Sequence, residues 1–231
     1  TVEPAGVSLG LRLDGVNDYV TFGAAPGLGL ASFTLETWFR WTGGGTTAST
    51  GGGGVVGIPL IAKGRGEADG NNRDMNYFLG IDPTRSVLAA DFEEGATGAS
   101  PGLNHSVFGI TTISTGAWHH AAASYDGTNW QLFLDGAIET NLFVGQPLRS
   151  DSIQHASLAT AMDSTGTPSG YFAGILDEAR IWNVALSAAQ IAQNRTVQIP
   201  AAPGLVGRWG LDETSGTTAP DSSGAQHHGT L

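Results

Sequence analysis

Short stretches in which apolar and polar positions alternate run along most of the chain. Leu9, Leu11 and Leu13 fall on one side of an extended segment, because successive side chains of a strand point to opposite faces. The same period of two recurs in the stretches 33–39, 77–82, 86–93, 117–125, 130–135 and 171–182. Many short strands with turn formers between them predict an all-β sandwich or barrel.

One short helix and three long loops complete the predicted pattern. Ser187 and Gln190 have the spacing of a capping box, and a helix-favouring stretch follows them. The stretches 42–57, 64–76 and 94–106 are rich in glycine and polar residues and are predicted loops. In particular, 42–57 holds too many glycines to specify the interior of a strand. Loops at the ends of a sandwich often carry the binding residues.

Composition and charge narrow the class of protein. The 35 glycines are about twice the average share, but 40% of the chain is hydrophobic and no Gly-X-Y repeat is present, which excludes collagen and disorder. The net charge of −11 repels phosphates and argues against a nucleic-acid partner. Without cysteine there is no disulfide and no thiolate metal site. No apolar run reaches the ~20 residues of a membrane span, and no basic-then-apolar leader opens the chain. We therefore expect no membrane insertion and a soluble, mature piece, which an exported precursor could supply.

Five blocks of sequence follow one another in a recognisable order. They are Leu11-Arg-Leu-Asp-Gly-Val-Asn-Asp-Tyr-Val20, Phe33-Thr-Leu-Glu-Thr-Trp38, Trp118-His-His-Ala121 with Tyr125-Asp-Gly127, Leu132-Phe-Leu-Asp-Gly136, and Phe172-Ala-Gly-Ile-Leu-Asp-Glu-Ala-Arg-Ile-Trp-Asn183. Over residues 9–195 the chain resembles the bacterial laminin-G-like domains of the concanavalin A-like lectin/glucanase superfamily. The resemblance implies an all-β jelly-roll sandwich of two curved antiparallel sheets with one short helix. It also implies an extracellular or cell-surface location in a multidomain protein that binds sugars or other proteins.

The last residues resemble the beginning of such a domain. The segment Leu205-Val-Gly-Arg-Trp-Gly-Leu-Asp-Glu213 matches the part that normally precedes the Leu11–Gly15 block. We therefore predict that 1–203 form the laminin-G-like domain and that 204–231 start a following repeat of a tandem array. The segment 204–231 is predicted to complete the same sandwich, or to enter a neighbouring copy as a domain swap.

Oxygen-bearing side chains suggest a calcium site. Asp14, Asn17 and Asp18 lie within one turn, and calcium takes six to eight oxygen ligands. The resemblance adds Asp177, because members of the superfamily often hold a structural calcium with an aspartate of the last long strand. The alternative is that Asp14 and Asn17 cap a turn while Asp177 pairs with an arginine.

A second polar set is a candidate for contacts with sugar hydroxyls. It consists of Asp91, Glu93, Asn104 and His105. Trp38 or Tyr77 could supply an apolar face for a sugar ring. The alternative is an exposed acidic strand end beside a loop.

The remaining candidates predict structure rather than chemistry. His119 and His120 are adjacent on a strand and point to opposite faces, so one metal ion cannot easily take both. Trp118, Trp130 and Trp182 are predicted core residues. The superfamily's endoglucanases use a Glu-x-Asp-x-Glu-like strand, which places three carboxyl groups on one face, and this chain has no such strand.

These features together predict a non-catalytic extracellular binding or adhesion module. Its partner would be a glycan or an extracellular protein, with calcium fixing the geometry of the loops. One alternative is a glycoside hydrolase or polysaccharide lyase of the same fold. The other is a structural spacer domain.

Overall fold

The computed structural model describes residues 10–66, 69 and 73–231. The strands are β1 (Leu11–Asp14), β2 (Val20–Thr21), β3 (Phe33–Thr46), β4 (Ala48–Ser49), β5 (Val56–Lys63), β6 (Tyr77–Asp82), β7 (Val87–Asp91), β8 (Val107–Phe108), β9 (His119–Tyr125), β10 (Asn129–Leu134), β11 (Ala137–Phe143), β12 (Ala156–Leu158), β13 (Ala161–Met162), β14 (Pro168–Ser169), β15 (Tyr171–Trp182), β16 (Leu205–Trp209), β17 (Thr218–Ala219) and β18 (Gly229–Thr230). Helix α1 spans Ala188–Asn194, and a 3-10 turn spans Pro26–Leu28.

The strands form two large antiparallel sheets. Sheet A has the order β1-β15-β3-β9-β10-β11, and β16 also pairs with β15. Sheet B has the order β17-β18-β2-β12-β5-β6-β7-β8, and β4 pairs with β5. Strands β13 and β14 form a separate hairpin. This arrangement confirms the predicted all-β jelly-roll sandwich with one short helix.

The main core lies between the two sheets. It collects the inward-facing residues of both layers, among them Leu35, Phe39 and Leu176 from sheet A and Leu79 from sheet B. Helix α1 covers part of the outer side of sheet A, where its Ile191 packs on Phe133 and Trp182. The predicted capping box is confirmed, since Ser187 and Gln190 exchange side-chain and backbone hydrogen bonds.

The alternating stretches predicted from sequence correspond to β1, β3, β6, β7, β9, β10 and β15. The first predicted position, Leu9, lies outside the described residues, as does part of the predicted loop 64–76. The prediction of a loop at 42–57 is wrong, because β3 continues to Thr46 and β4 follows it. Gly45 pairs with Phe172 at a φ of 110°. A Cβ at Gly45 would lie 2.5 Å from the carbonyl oxygen of Tyr171, so a glycine is what allows the two strands to pair there.

Residues 204–231 contribute strands to both sheets. Strand β16 pairs with β15 through Ala179–Trp182, next to the stretch Ala173–Leu176 that pairs with β1. The first and last strands of sheet A therefore lie end to end along one edge of β15. Strands β17 and β18 extend sheet B beside β2. That this segment belongs to a following repeat, or is exchanged with a neighbouring copy, stays a prediction.

A buried ion network joins β3, β15 and β16. Arg180 lies 3.5 Å from Glu36 and 2.8 Å from Glu178, and Arg208 pairs with the same Glu178 carboxylate. All four side chains are largely or fully buried. Glu178 sits at a bulge in the pairing of β15 with β3, with a φ of 48°, and the bulge allows its carboxylate to face both arginines.

A side-chain contact joins β11, the last strand of sheet A, to the residues that follow β8, the last strand of sheet B. Glu139 of β11 accepts hydrogen bonds from the backbone N–H groups of Ile110 and Thr111, each at 2.7 Å. These residues follow β8, the last strand of sheet B. The edge of β11 is thus linked to sheet B by a carboxylate. Among the residues that the structure describes, no helix is long and apolar enough to cross a membrane.

Replacing Trp209 should test how much the C-terminal segment stabilises the sandwich. Trp209 is fully buried, stacks on Phe22 with ring centroids 4.2 Å apart and donates its indole N–H to His227. We expect Trp209→Ala to lower the free energy of unfolding by about 3–5 kcal/mol, measured by urea denaturation. Phe143→Ala, at a ring that is 75% exposed, should change it by about 0.5 kcal/mol or less. Equal midpoints for wild type and Trp209→Ala would contradict the packing of this segment.

Candidate ligand-binding rim of sheet B

One end of sheet B brings several loops together. Lys63 at the end of β5 pairs with Tyr77 at the start of β6 and with Ala156 at the start of β12, and Asp91 at the end of β7 pairs with Phe78. The loops that follow or precede these residues therefore meet at one edge of the sandwich. We call this edge the rim; its described residues are 24–26, 64–66, 73–76, 92–94 and 148–155.

A buried ion pair supports the rim from inside. The Nε of Arg149 lies 3.0 Å from Glu93, and both side chains are less than 5% exposed. Glu93 also accepts the backbone N–H of Met75. Burial raises the pKa of Glu93 to about 7, and Arg149 opposes that rise. The prediction that Glu93 contacts a ligand is therefore wrong. Its carboxylate lies below the surface and joins the loop of Met75 to the loop of Arg149.

A surface cavity of about 470 Å³ opens on this support. Its lining consists of Ala24, Pro26, Arg73, Ser150, Asp151, Ser152 and Ile153. Arg73 and Asp151 are about half exposed and form an ion pair of 3.3 Å, and Asp151 also lies 3.7 Å from Arg149. The charges thus run from the buried Glu93 through Arg149 to the exposed pair. A guanidinium and a carboxylate beside apolar Pro26 and Ile153 can both hydrogen-bond hydroxyl groups and contact a ring face.

The single lysine of the chain fixes the back of the cavity. The Nζ of Lys63 donates to the carbonyl oxygens of Ala24 at 2.7 Å and Gln154 at 2.8 Å. Burial lowers the pKa of Lys63 to about 8. Gln154 in turn donates to Asp69 and Asp74. These bonds tie the segment after β2 to the segment before β12, so the cavity walls are held by the core.

Asp91 and Asn104 come together, but beneath a glycine turn. Asp91 is fully buried and accepts the hydroxyl of Thr50 at 2.5 Å, while Asn104 donates to the carbonyl of Gly52. A Cβ at Gly54 would lie 2.6 Å from the Asp91 carboxylate and 3.1 Å from the Asn104 side chain. The turn therefore covers Asp91, so neither the predicted contact with a sugar nor the alternative of an exposed strand end fits this residue.

His105 is placed beside Asn104 but has its own partner. Its Nε2 lies 3.0 Å from the buried carboxylate of Glu94, and its ring packs on Phe92 with centroids 4.8 Å apart. His105 and Asn104 are both half-buried. That either one contacts a ligand stays a prediction.

The two aromatic residues expected to face a sugar are in the interior. Trp38 is 1% exposed and donates its indole N–H to Arg195 next to α1. Tyr77 is fully buried between the sheets and donates its hydroxyl to Leu28. Neither ring offers a face at the surface, so this part of the prediction is wrong.

The proposed calcium ligands do not converge on one point. Asp14 is paired with Ala173 on β15, and Asp177 lies four residues further along that strand, about 13 Å away at the usual strand rise. Asp14 accepts the N–H groups of Val16 and Asn17, and Asp18 accepts that of Asp14. The hydrogen bonds from Val16 and Asn17 lower the pKa of Asp14, the one from Val16 most. The turn is thus capped by its own carboxylates, and a site shared with the fully buried Asp177 does not fit.

No group of three or more His, Asp or Glu side chains among the described residues is arranged to hold a metal ion. The two adjacent histidines also point apart, as expected. His119 bonds Asp135 at 2.9 Å, whereas His120 is buried 3.6 Å from Glu36, and burial lowers its pKa to about 3. Calcium binding by this protein stays a prediction.

The residues that line the cavity are not evident from the sequence. Arg73 falls in the predicted loop 64–76, but the segment around Asp151 was not singled out. Its signal is the run Arg149-Ser-Asp-Ser152, a polar and charged stretch between two strands. The pairing of β12 with β5 and of β5 with β6 places that run beside Arg73.

A two-sheet antiparallel sandwich with loops converging at one rim, and with a single capped helix in its described part, is a jelly-roll domain. The chain belongs to the concanavalin A-like lectin/glucanases superfamily, since residues 14–192 match its Laminin_G_3 family. This assignment confirms the resemblance seen in the sequence. No curated protein is similar enough in sequence to be matched.

Several solved structures share the fold. A candidate carbohydrate-binding protein from Bacteroides ovatus is 17% identical with a TM-score of 0.62, and the match covers 95% of this chain and 54% of that one. The CBM40 module of the Ruminococcus gnavus IT-sialidase is 14% identical with a TM-score of 0.60, covering 81% and 96%. A pentraxin from Limulus polyphemus is 12% identical with a TM-score of 0.51, covering 78% of each chain. The chain spans about half the length of the Bacteroides protein, and at these identities the likeness concerns the fold.

The buried Asp91 should make stability depend on pH in a defined direction. Burial raises the pKa of Asp91 from 3.8 to about 7. Between these values the folded carboxyl keeps a proton that the unfolded chain has released, so the free energy of unfolding falls as the pH rises. Asp91→Asn removes this titration. We expect the variant to gain roughly 3–4 kcal/mol over wild type between about pH 4 and about pH 8, measured by chemical denaturation. The same change at exposed Asp212 serves as the control, and a pH-independent difference for Asp91→Asn would contradict the assignment.

Proposed function

We propose that this protein is a non-catalytic carbohydrate-binding module that holds a glycan in the rim cavity and works outside the cell or at its surface. The observation that carries the proposal is the ion pair of Arg73 and Asp151 in the lining of a cavity of about 470 Å³. Ligand cavities of roughly 300–1,000 Å³ that combine apolar walls with a few fixed polar groups are the usual size for small ligands. One or two sugar rings fit this class.

The ion pair of Arg73 and Asp151 is held in place by buried side chains, which favours ligand binding. Arg149 contacts both Glu93 and Asp151, so the exposed carboxylate is held by a buried guanidinium. Charged groups whose side chains are already fixed lose little freedom when a ligand arrives, which favours affinity. The Ruminococcus gnavus module of the same fold has been solved bound to α2,3-sialyllactose, which supports a glycan as the ligand here.

The carboxyl groups near the cavity argue for binding over hydrolysis. Glycosidases place two carboxyl groups on either side of the scissile bond, roughly 5–10 Å apart. Asp151 is the one carboxylate in the described lining. Glu93 behind it is bound to Arg149, and Asp74 accepts from Gln154. A hydrolase or lyase would need a second carboxyl group facing the ligand.

Binding should depend on the charged pair of the rim. After a glycan array has identified a ligand, we expect Asp151→Ala and Arg73→Ala each to weaken its binding by about tenfold or more, measured by isothermal titration calorimetry. The matched controls are Asp212→Ala, at an exposed carboxylate, and Arg85→Ala, at a guanidinium that is 60% exposed and paired with Asp82. Both controls should bind like wild type. A wild-type chain that binds no glycan, or rim variants that bind normally, would refute the proposal.

Catalysis provides a separate check. Because only Asp151 faces the cavity among the described lining residues, we expect no release of reducing ends from laminarin, lichenan or agar, even at high protein concentration. Reducing-sugar assays and product chromatography measure this directly. Turnover that disappears in Asp151→Ala would show instead that the chain is a glycoside hydrolase or lyase.

A further inference from the structure

Most basic side chains of this acidic protein are neutralised by the protein itself. Carboxylates lie within ion-pair distance of Arg65, Arg73, Arg85, Arg149, Arg180 and Arg208. Lys63 is bound to carbonyl oxygens. Arg12, Arg40 and Arg195 form no ion pair with any described residue, and only Arg12 and Arg40 share a strand face. With a net charge of −11, two unpaired guanidiniums on one face are a local exception.

The two arginines belong to one row that crosses sheet A. Arg12 of β1 pairs with Ile175 of β15, and Ile175 pairs with Arg40 of β3. Directly paired residues of neighbouring strands lie on the same face, so the Cα atoms of Arg12 and Arg40 are about 10 Å apart on that face. The face is the outer one, because the adjacent Leu13 and Phe39 point into the core. The row ends at Trp118, with the guanidinium of Arg40 5.7 Å from the ring centroid.

Trp118 differs from the other tryptophans. The others are at most 3% exposed and each donates its indole N–H to a protein oxygen; they are Trp38, Trp41, Trp130, Trp182 and Trp209. Trp118 is only half-buried, and its indole makes no hydrogen bond with the described residues. The prediction that Trp118 is a core residue is therefore wrong. Its exposed part supplies apolar surface and an N–H donor beside the two cations.

A cavity of about 310 Å³ lies between Arg12 and Arg40, next to Trp118. Arg12, Arg40, Asp14, Thr42 and Ile175 belong to its lining. Asp14 is the one carboxylate of this described lining, and one of its oxygens accepts two N–H groups of its own turn. Thr42 donates its hydroxyl to Ala173, which leaves the hydroxyl oxygen as an acceptor. The cavity therefore offers two guanidinium groups, two hydrogen-bond acceptors on Asp14 and Thr42, and the apolar side chain of Ile175.

We propose that this outer face of sheet A, formed by Arg12, Ile175, Arg40 and Trp118, is a second binding site that takes an acidic glycan. The carboxylate or sulfate group of the glycan lies between the two guanidiniums, whose planar donors match such oxyanions. A sugar ring rests against Ile175 and Trp118. The site is separated from the rim by the core, since the rim belongs to sheet B. Two sites on opposite sheets would let one module contact two chains of a polysaccharide.

The test measures binding of the intact chain by isothermal titration calorimetry. The probes are alginate oligosaccharides, which carry carboxylates, chondroitin sulfate oligosaccharides, which also carry sulfates, and uncharged laminarin oligosaccharides. We expect tighter binding to at least one acidic probe than to laminarin, and a decrease in that affinity as salt is added. The two acidic probes distinguish carboxylate from sulfate as the recognised group. Arg12→Gln/Arg40→Gln should weaken the binding by about tenfold or more.

Single variants show whether the affinity comes from this face or from positive charge elsewhere on the protein. Arg85→Gln removes a positive charge outside the site and should leave acidic-glycan binding unchanged. Arg12→Gln alone changes an exposed side chain without an ion-pair partner among the described residues, so it preserves the test if the double variant is unstable, and it should cause a severalfold loss. The proposal is overturned if wild type binds no acidic probe better than laminarin. It is also overturned if the arginine variants bind normally, or if Arg85→Gln loses as much affinity as the double variant.

Discussion

The buried charges of Glu36, Glu178, Arg180 and Arg208 are the constraint on which the arrangement of sheet A depends. A buried charge without a partner costs several kcal/mol, so each of these side chains requires the others to be in place. Arg180 also donates to the carbonyl oxygens of Asn194 and Val197, which fixes the end of α1 against the sheet. Even with Arg180 beside it, burial keeps the pKa of Glu36 raised. The network therefore contributes a specific arrangement more than it contributes net stability.

The same network accounts for the position of the C-terminal segment. Glu178 can face Arg208 because the β15 bulge turns its side chain toward β16, and Arg208 then joins Asp221 through its backbone N–H. Strand β16 thus brings β17 and β18 to the edge of sheet B. Hydrophobic burial of Trp209 accompanies this contact, but burial alone is not directional. The ion pairs supply the register that burial cannot.

The fold could be predicted from the sequence to a large extent because its signals are local. Alternation, Asp-Gly turns and the capping box at Ser187 each depend on neighbouring residues. The glycine-rich stretch ending at Thr46 could not be predicted, because its strand exists only through pairing with β15. The candidate site was harder still. Polarity indicated Asp91 and an aromatic ring indicated Trp38, yet their burial is decided by a glycine turn and by α1. The pairing of Arg73 with Asp151 depends on strand order.

The contact of Glu139 with the backbone of residues 110 and 111 affects how the protein behaves at high concentration. The last strand of a sheet exposes backbone donors and acceptors that can pair with another molecule. Around β11 this risk is increased by Phe143 and Ile110, which are 75% and 80% exposed. The Glu139 carboxylate holds the backbone of residues 110 and 111 against β11. The outer edges of sheets A and B thus cover one another and are less open to another molecule. A single acidic side chain thereby opposes the growth of intermolecular β-structure, although it belongs to neither of the two proposed binding sites.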